Sequence, residues 1–285
     1  MKKLALTLLL LAGLPLPARA WWDDGHMVVA QIAYDRLTPA TRAAVNKLVP
    51  LGASAKNNTF VTSACWADDL KDQGVYFYNV WHYFDTPIYD GVFPQAKADG
   101  DLLWAMAENA RILKSTKASD YERARALRFL IHFVGDAHQP LHGVSRFAAE
   151  TPKGDRGGND FTLVLAGARG EGDGHLKNLH SFWDSAGGWL TESVDRPLAP
   201  AGAQKIAAWA AAAIADPGAP TANDGDFSQW LAEDVALSRS DAYQTPFKTA
   251  PSAEYTANTQ RISRQRIAAA GRRLANLLED CLKPA

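Results

Sequence analysis

The stretch from Leu127 to His142, LRFLIHFVGDAHQPLH, constrains the fold of this chain most strongly. It is mostly apolar, yet its last eleven residues contain three histidines and one aspartate. Such groups rarely lie in an apolar helix without a partner, and a metal ion is the partner that uses both imidazole and carboxylate. His132 and Asp136 share one helix face, and Pro140 should end that helix, leaving His142 on the following turn. The stretch predicts a metal site, against the alternative of polar groups satisfied by neighbouring side chains.

Apolar residues continue at helical spacing through most of the chain, with a Thr38-Pro39 start signal and a Ser119/Glu122 capping box. Residues 75–94 predict an extended loop, and residues 161–165 predict at most a small β-hairpin around Gly167. No repeat, low-complexity linker or break in composition divides the chain, so we predict a mainly α, single-domain multi-helix bundle over residues 21–285 with long loops. The predicted helices cover residues 21–37, 39–48, 60–71, 99–117, 119 to the residue before Pro140, a segment from about 177, and 204–215, 227–239 and 252–281.

Residues 1–20 have the pattern of a cleaved export signal. Two lysines precede an apolar run from Leu4 to Leu14, and Ala18-Arg19-Ala20 supplies small residues before the predicted mature terminus, Trp21. No later apolar run reaches the roughly 18 residues that a membrane span needs. We therefore expect an exported protein, periplasmic or secreted, without a membrane anchor.

The formal net charge of the whole chain is −1 and becomes more negative when the basic signal residues are removed. A mildly acidic protein does not bind nucleic acid through its bulk charge, so a polyanionic substrate would need local features such as metal ions. The two cysteines, Cys65 and Cys281, leave two alternatives open in an oxidising compartment: a disulfide or two buried thiols.

Eight side chains of the type that binds zinc through nitrogen or oxygen occur in separate segments, and none is a cysteine. One zinc ion takes at most about four protein ligands, so the set indicates two or three ions. Several ions held close together favour hydrolysis of phosphate esters. The eight residues are His26, Asp68, His82, His132, Asp136, His142, His180 and Asp184.

The segments that carry these residues are similar to the signatures of a known family. In order they read WWDDGH, CWADDLK, WHYFD, HFVGDAHQPLH, GDRGGND and NLHSFWD, and the similarity continues through WLTES and AGRRLANLL. The chain thus resembles the S1/P1 nucleases, secreted enzymes with three zinc ions in the zinc-dependent phospholipase C superfamily. The resemblance implies cleavage of single-stranded DNA and RNA to products with 5′-phosphate ends and removal of phosphate from 3′-mononucleotides. Separately, we expect a monomer, although the sequence leaves the oligomeric state open.

The resemblance also implies how three Zn²⁺ are held. One ion takes Asp68, His82, His132 and Asp136, and a second takes His142, His180 and Asp184. The third is held by His26, by Asp136 as a bridge, and by the free amino group and carbonyl of Trp21.

Further roles follow from the same resemblance. Asp68 would orient the attacking water, and Lys71 stands where the family has an arginine that stabilises the phosphate, with the charge kept but the bidentate fork lost. Tyr83 would stack on a nucleobase and Asp85 would accept a hydrogen bond from its edge; a core aromatic is the alternative for Tyr83. Asn159 either approaches the phosphate or structures its loop.

Two histidines, His138 and His175, match no ligand position; we expect the first to support or pack beside the site and the second to lie on an exposed loop. A zinc-dependent phospholipase C is the first alternative function, but the short gap before His26 and the aspartate at 184 favour the nuclease. An exported zinc-binding protein without catalysis is the second alternative, and Asp68 beside a complete ligand set argues against it.

Overall fold

The computed structural model of the protein describes residues 21–164, 178–190, 193–218 and 226–283. The predicted signal segment, the hairpin around Gly167 and His175 lie outside these residues. The predicted mainly α fold is confirmed, since ten α-helices account for most of the described chain. They are α1 (Asp23–Arg36), α2 (Pro39–Leu48), α3 (Phe60–Ser63), α4 (Trp66–Asp72), α5 (Leu102–Lys114), α6 (Asp120–Asp136), α7 (Leu179–Asp184), α8 (Pro200–Ile214), α9 (Phe227–Leu237) and α10 (Ala253–Leu282).

Local sequence signals set the start of several helices. The hydroxyl of Thr38 accepts a hydrogen bond from the N–H of Thr41, and Pro39 occupies the first turn of α2. Ser119 and Glu122 form the predicted capping box, in which each side chain satisfies a backbone N–H of the other residue. The central helix α6 therefore begins where its sequence predicts.

The helices α1, α6 and α10 form the centre of the core, with α5 and α8 packed around them. Val28, Val29 and Ile32 of α1 are fully buried. A Cβ atom added to Gly271 of α10 would lie 2.5 Å from Cβ of Ile32, so α1 and α10 cross at a distance that only glycine permits. Among the described helices, none is both long and apolar enough to cross a membrane.

The described residues contain a small sheet that the sequence did not predict. Two parallel strands, β1 (Thr86–Tyr89) and β2 (Val144–Phe147), pair with Thr86 opposite Val144. The segment predicted as an extended loop, 75–94, therefore contains β1 as well as a 3-10 turn at Asn79–Trp81. Near the predicted hairpin, the described residues show a single antiparallel bridge from Thr162 to Asn178. The pairing of β1 with β2 joins segments more than fifty residues apart, which local patterns do not reveal.

The helix predicted over residues 60–71 was wrong, whereas the central helix ends before Pro140 as predicted. The helix expected over residues 60–71 is divided into α3 and α4 by the turn at Ala64 and Cys65. The central helix ends at Asp136, before Pro140, and Pro140 opens a 3-10 turn that ends at Gly143. In this turn the side chain of Gln139 accepts a hydrogen bond from the N–H of Leu141.

The two cysteines are buried thiols, and no disulfide joins them. Sγ of Cys65 lies 3.6 Å from the carbonyl oxygen of Asp23, at the start of α1. Sγ of Cys281 lies 3.8 Å from the carbonyl oxygen of Ala110, in α5. The two thiols thus contact carbonyl oxygens in different helices.

Candidate metal centre

The eight residues predicted as ligands come together in the interior of the fold. They come from α1, α4, the turn before β1, α6, the 3-10 turn after it, and α7. Each of the eight is at most 4% exposed, although all are polar or charged. The structure therefore brings together donor groups that lie up to 158 positions apart in the sequence, from His26 to Asp184.

The donor atoms form three groups, in each of which the ligand atoms lie within 4.8 Å of one another. The first contains His26, His132 and Asp136, and the second contains Asp68, His82 and His132. The two groups share His132, and Asp136 lies close to both, with Oδ2 3.1 Å from Nδ1 of His82 and Oδ1 3.5 Å from Nε2 of His26. The third group contains His142, His180 and Asp184.

Backbone carbonyls fix the orientation of three of these imidazoles. Nδ1 of His132 lies 2.6 Å from the carbonyl oxygen of Ala64, and Nδ1 of His142 lies 2.6 Å from that of His82. Nδ1 of His180 lies 2.7 Å from the carbonyl oxygen of Gly157. A carbonyl can only accept, so each Nδ1 carries the proton and each Nε2 presents its lone pair to the cluster.

Several buried polar atoms of the cluster have no hydrogen-bond partner. They include Nε2 of His142, Nε2 of His180 and both carboxylate oxygens of Asp136. Both ring nitrogens of His26 and Nε2 of His82 also lack a hydrogen-bond partner. A buried polar atom without a partner is costly, and a bound cation would satisfy the atoms that face the cluster. The donor set, nitrogen and carboxylate oxygen without thiolate, fits zinc.

Electrostatics also suit a cation site. A neutral imidazole is the form that binds a metal, and burial lowers the pKa of every histidine in the cluster, that of His180 to about 4. Burial raises the pKa of the Asp136 and Asp184 carboxyls well above the usual value, because an isolated negative charge in the interior is unfavourable. A divalent cation would favour the ionised carboxylates instead.

Asp68 differs from the other two carboxyl groups in having a cation beside it. Nζ of Lys71 lies 2.7 Å from Oδ1 of Asp68, and both side chains are buried. Burial would raise the pKa of Asp68, but the Lys71 ammonium and the nearby imidazoles together hold it well below its usual value. The structure therefore places Lys71 against the carboxylate that, by the resemblance, would orient the attacking water.

The N-terminal residues of the described chain are tied to two ligand-bearing helices. The side chain of Trp21 is fully buried, and its indole N–H donates to the carbonyl oxygen of Gly135, the neighbour of Asp136. The backbone N–H of Trp22 donates to the carbonyl oxygen of Asp184. A Cβ atom on Gly135 would lie 2.7 Å from Nδ1 of His26, so a glycine is needed at this contact.

Tyr83 and Asp85 lie beside the cluster, between His82 and β1, and both are partly exposed. Burial and nearby carboxylates raise the pKa of Tyr83 to about 12. Burial, together with Asp155 and Asp99, raises the pKa of Asp85 to about 8. The two side chains thus form a polar, partly buried face next to His82.

Asn159 makes a contact within its own loop. Its side-chain N–H donates to the carbonyl oxygen of Arg156 at 2.8 Å, and it belongs to none of the donor groups. Of the two roles that the sequence left open, loop structure is the one with a contact in the described residues.

The sequence reasoning overlooked Gln139. Its fully buried side chain donates from Nε2 to Oδ1 of Asp184 at 2.6 Å and accepts from the N–H of Leu141 at 2.6 Å. The available signal was an amide placed among ligand-type residues in an apolar stretch. His138, by contrast, lies outside the donor groups: its ring packs on Trp230, and Nε2 lies 2.9 Å from Nη1 of Arg273.

Comparison with known proteins agrees with the resemblance. Endonuclease 4 of Arabidopsis thaliana is 31% identical over 183 residues, which cover 59% of this chain and 55% of that protein. Endonuclease 2 of the same plant is 32% identical over 180 residues, 58% of this chain and 55% of the relative. Nuclease P1 of Penicillium citrinum is 27% identical over 175 residues, 58% of this chain and 57% of the relative. The matches thus span little more than half of each relative.

The sequence model of the family described as S1/P1 Nuclease matches residues 21–283. This match includes all eight donor residues and the whole of the described chain, so the protein belongs to the S1/P1 nuclease family.

Proposed function

We propose that this protein is a zinc-dependent nuclease that cleaves single-stranded DNA and RNA to products with 5′-phosphate ends and also dephosphorylates 3′-mononucleotides. The observation that carries the proposal is the set of three adjoining groups of buried nitrogen and oxygen donors, several of which lack any other partner. Multiple adjacent ions suit hydrolysis of phosphate esters, and family membership favours a nucleic acid as the ester.

We assign three Zn²⁺ to these donors. Asp68, His82, His132 and Asp136 would hold one ion, and His142, His180 and Asp184 would hold another. His26, Asp136 as a bridge and the backbone of Trp21 would hold the third. The short distances from Asp136 to both His82 and His26 support the bridging role.

When bound, the zinc ions supply a hydroxide nucleophile at neutral pH and stabilise negative charge on the phosphate and on the leaving oxygen. Asp68 accepts a hydrogen bond from the attacking water and directs its oxygen at phosphorus, in line with the 3′-oxygen that leaves. Lys71 keeps Asp68 ionised and holds it in place through the 2.7 Å contact. It also sets a positive charge next to the point of attack, the weaker counterpart of the family arginine.

Tyr83 and Asp85 would hold the nucleobase. Stacking of a base on an aromatic ring contributes about 1–3 kcal/mol and tolerates any base, which suits a nuclease of low sequence selectivity. Only an unpaired base is free to stack on protein, so this site favours single strands. Asp85 would accept a hydrogen bond from the base edge through a carboxyl oxygen, which both its protonated and its ionised form offer.

The remaining proposals concern export, signal cleavage and oligomeric state. Residues 1–20 would direct export to the periplasm or medium, and their removal would create the amino group of Trp21. The mature protein, residues 21–285, would act as a single-domain monomer.

Mature protein incubated with single-stranded DNA, RNA and 3′-AMP, with and without chelator, tests this proposal. We expect cleavage of all three, loss of activity with chelator, 5′-phosphate ends, and about three zinc ions per chain by elemental analysis. Hydrolysis of phosphatidylcholine without nuclease activity would favour the phospholipase alternative. Tight zinc binding without any hydrolysis would favour the non-catalytic one.

A further inference from the structure

The loop of residues 155–160 follows β2 and lies against the metal centre. The carbonyl oxygen of Gly157 holds Nδ1 of His180 at 2.7 Å, and a Cβ atom on Gly157 would lie 3.3 Å from that same nitrogen. Arg156 is therefore the immediate neighbour of a residue that contacts a ligand-type histidine. The role of this arginine is not explained by the proposed ligand set.

The backbone of Arg156 is fixed on both sides. Its N–H donates to Oγ of Ser145 at 3.1 Å, and its carbonyl oxygen accepts from Asn159 at 2.8 Å. The φ angle of Arg156 is +52°, a left-handed conformation that arginine rarely adopts. These contacts hold the base of the side chain in one place at the rim of the metal centre.

The guanidinium of Arg156 is also oriented. Nε lies 2.9 Å from Oδ2 of Asp160, and Nη2 lies 2.7 Å from Oδ1 of the same carboxylate. This ion pair uses the edge of the guanidinium that carries Nε and Nη2, and it does not involve Nη1. The side chain is 56% exposed, so a ligand from solvent can reach it.

The charge of Arg156 acts on the face that we assign to the nucleobase. Burial, followed by the carboxylates of Asp155 and Asp99, raises the pKa of Asp85, and the charge of Arg156 acts in the opposite direction. An anionic strand that approaches Asp85 would meet repulsion from these carboxylates, and Arg156 is placed to offset it.

We propose that Arg156 binds a backbone phosphate of the single strand whose base is held by Tyr83 and Asp85. The inference rests on the proposed nuclease function and adds a substrate contact to it. A guanidinium presents forked N–H donors that match phosphate oxygens, which a lysine ammonium does not. Lys71 is buried against Asp68, so Arg156 supplies an exposed cation at the rim of the same site.

The test compares Arg156→Gln with Lys153→Gln, because Lys153 is an exposed cation of the preceding turn and its loss removes the same charge. Cleavage of a single-stranded oligonucleotide is measured over a range of salt concentrations. We expect Arg156→Gln to raise KM on the order of ten-fold at low salt and to change kcat less than about two-fold. The slope of log(kcat/KM) against log[salt] should fall by about 0.7, the value for one lost phosphate contact on a single strand.

We expect Lys153→Gln to behave as wild type, and Arg156→Lys to recover part of the affinity because it keeps the charge. Equal KM and salt slope for Arg156→Gln and Lys153→Gln, in an enzyme that cleaves DNA, would overturn this inference alone. A fall in kcat with unchanged KM and slope would also overturn it, since that pattern indicates a structural role. A wild-type protein that does not cleave single strands would overturn the proposed function as well.

Discussion

At the scale of single residues, the side chain of Gln139 contacts the third donor group without belonging to it. Its amide joins Asp184 to the turn that carries His142, so one side chain positions two members of the third donor group. The sequence indicated the donors themselves, because His132 and Asp136 stand one helical turn apart and His180 and Asp184 repeat that spacing. The partner of Gln139 could not be read from the chain, since it lies 45 positions away.

Gln139→Met removes both hydrogen bonds and keeps a side chain of similar size. We expect about a 10–100-fold weaker affinity for one of the three proposed zinc ions, which is the usual cost of losing a group that orients a metal ligand. Zinc content after dialysis against a graded series of chelator concentrations measures this. Gln260→Met is the matched control, because that amide bonds only to the carbonyl oxygen of Gly187 among the described contacts. Equal zinc retention by both variants would show that Gln139 does not position the site.

At the scale of elements, the close crossing of α1 and α10 supports the position of His26. The starts of helices could be predicted from the local sequence. The capping box of α6 is an example, because Ser119 and Glu122 are only three residues apart. Features that depend on residues far apart in the sequence could not be predicted from local patterns. The turn between α3 and α4 contacts distant residues, with the carbonyl oxygen of Ala64 near His132 and Sγ of Cys65 near Asp23. The parallel pairing of β1 with β2 likewise joins distant segments, and periodicity within one segment does not reveal such contacts.

Gly271→Ala tests the crossing. Alanine normally favours a helix, but here its Cβ would meet Ile32, so we expect a loss of about 1–3 kcal/mol in the free energy of unfolding. Urea denaturation of the metal-free protein measures it. The control is a double-mutant cycle with Ile32→Ala. Gly271→Ala should lower the free energy of unfolding less in the Ile32→Ala background than in the wild type. Full additivity of the two changes would contradict the steric explanation.

At the scale of the whole molecule, the metal centre joins parts of the chain that are otherwise independent in sequence. Helices α1, α4, α6 and α7 all contribute donors, and the start of the described chain is bound to both α6 and α7 through Trp21 and Trp22. An ion bound by the folded state and not by the unfolded chain stabilises the fold as a unit. The position of Trp21 in the interior makes its backbone part of that unit.

A protein that retains one extra residue before Trp21 tests the assignment of the third zinc. The added peptide bond replaces the proposed amine ligand with an amide, so we expect two zinc ions per chain instead of three and loss of most activity. Elemental analysis and nuclease rates measure both. The control is a variant with one residue added after Ala285, at the other end of the chain. Three zinc ions and a full rate in the extended protein would rule out the Trp21 ligand.

The two separate thiols have a consequence for the redox behaviour of the protein. Cys65 and Cys281 contact different parts of the core, so no covalent cross-link restrains the unfolded chain. Folding of this chain therefore does not require an oxidant or a disulfide isomerase. A reducing agent would accordingly find no disulfide bond to cleave in the folded protein.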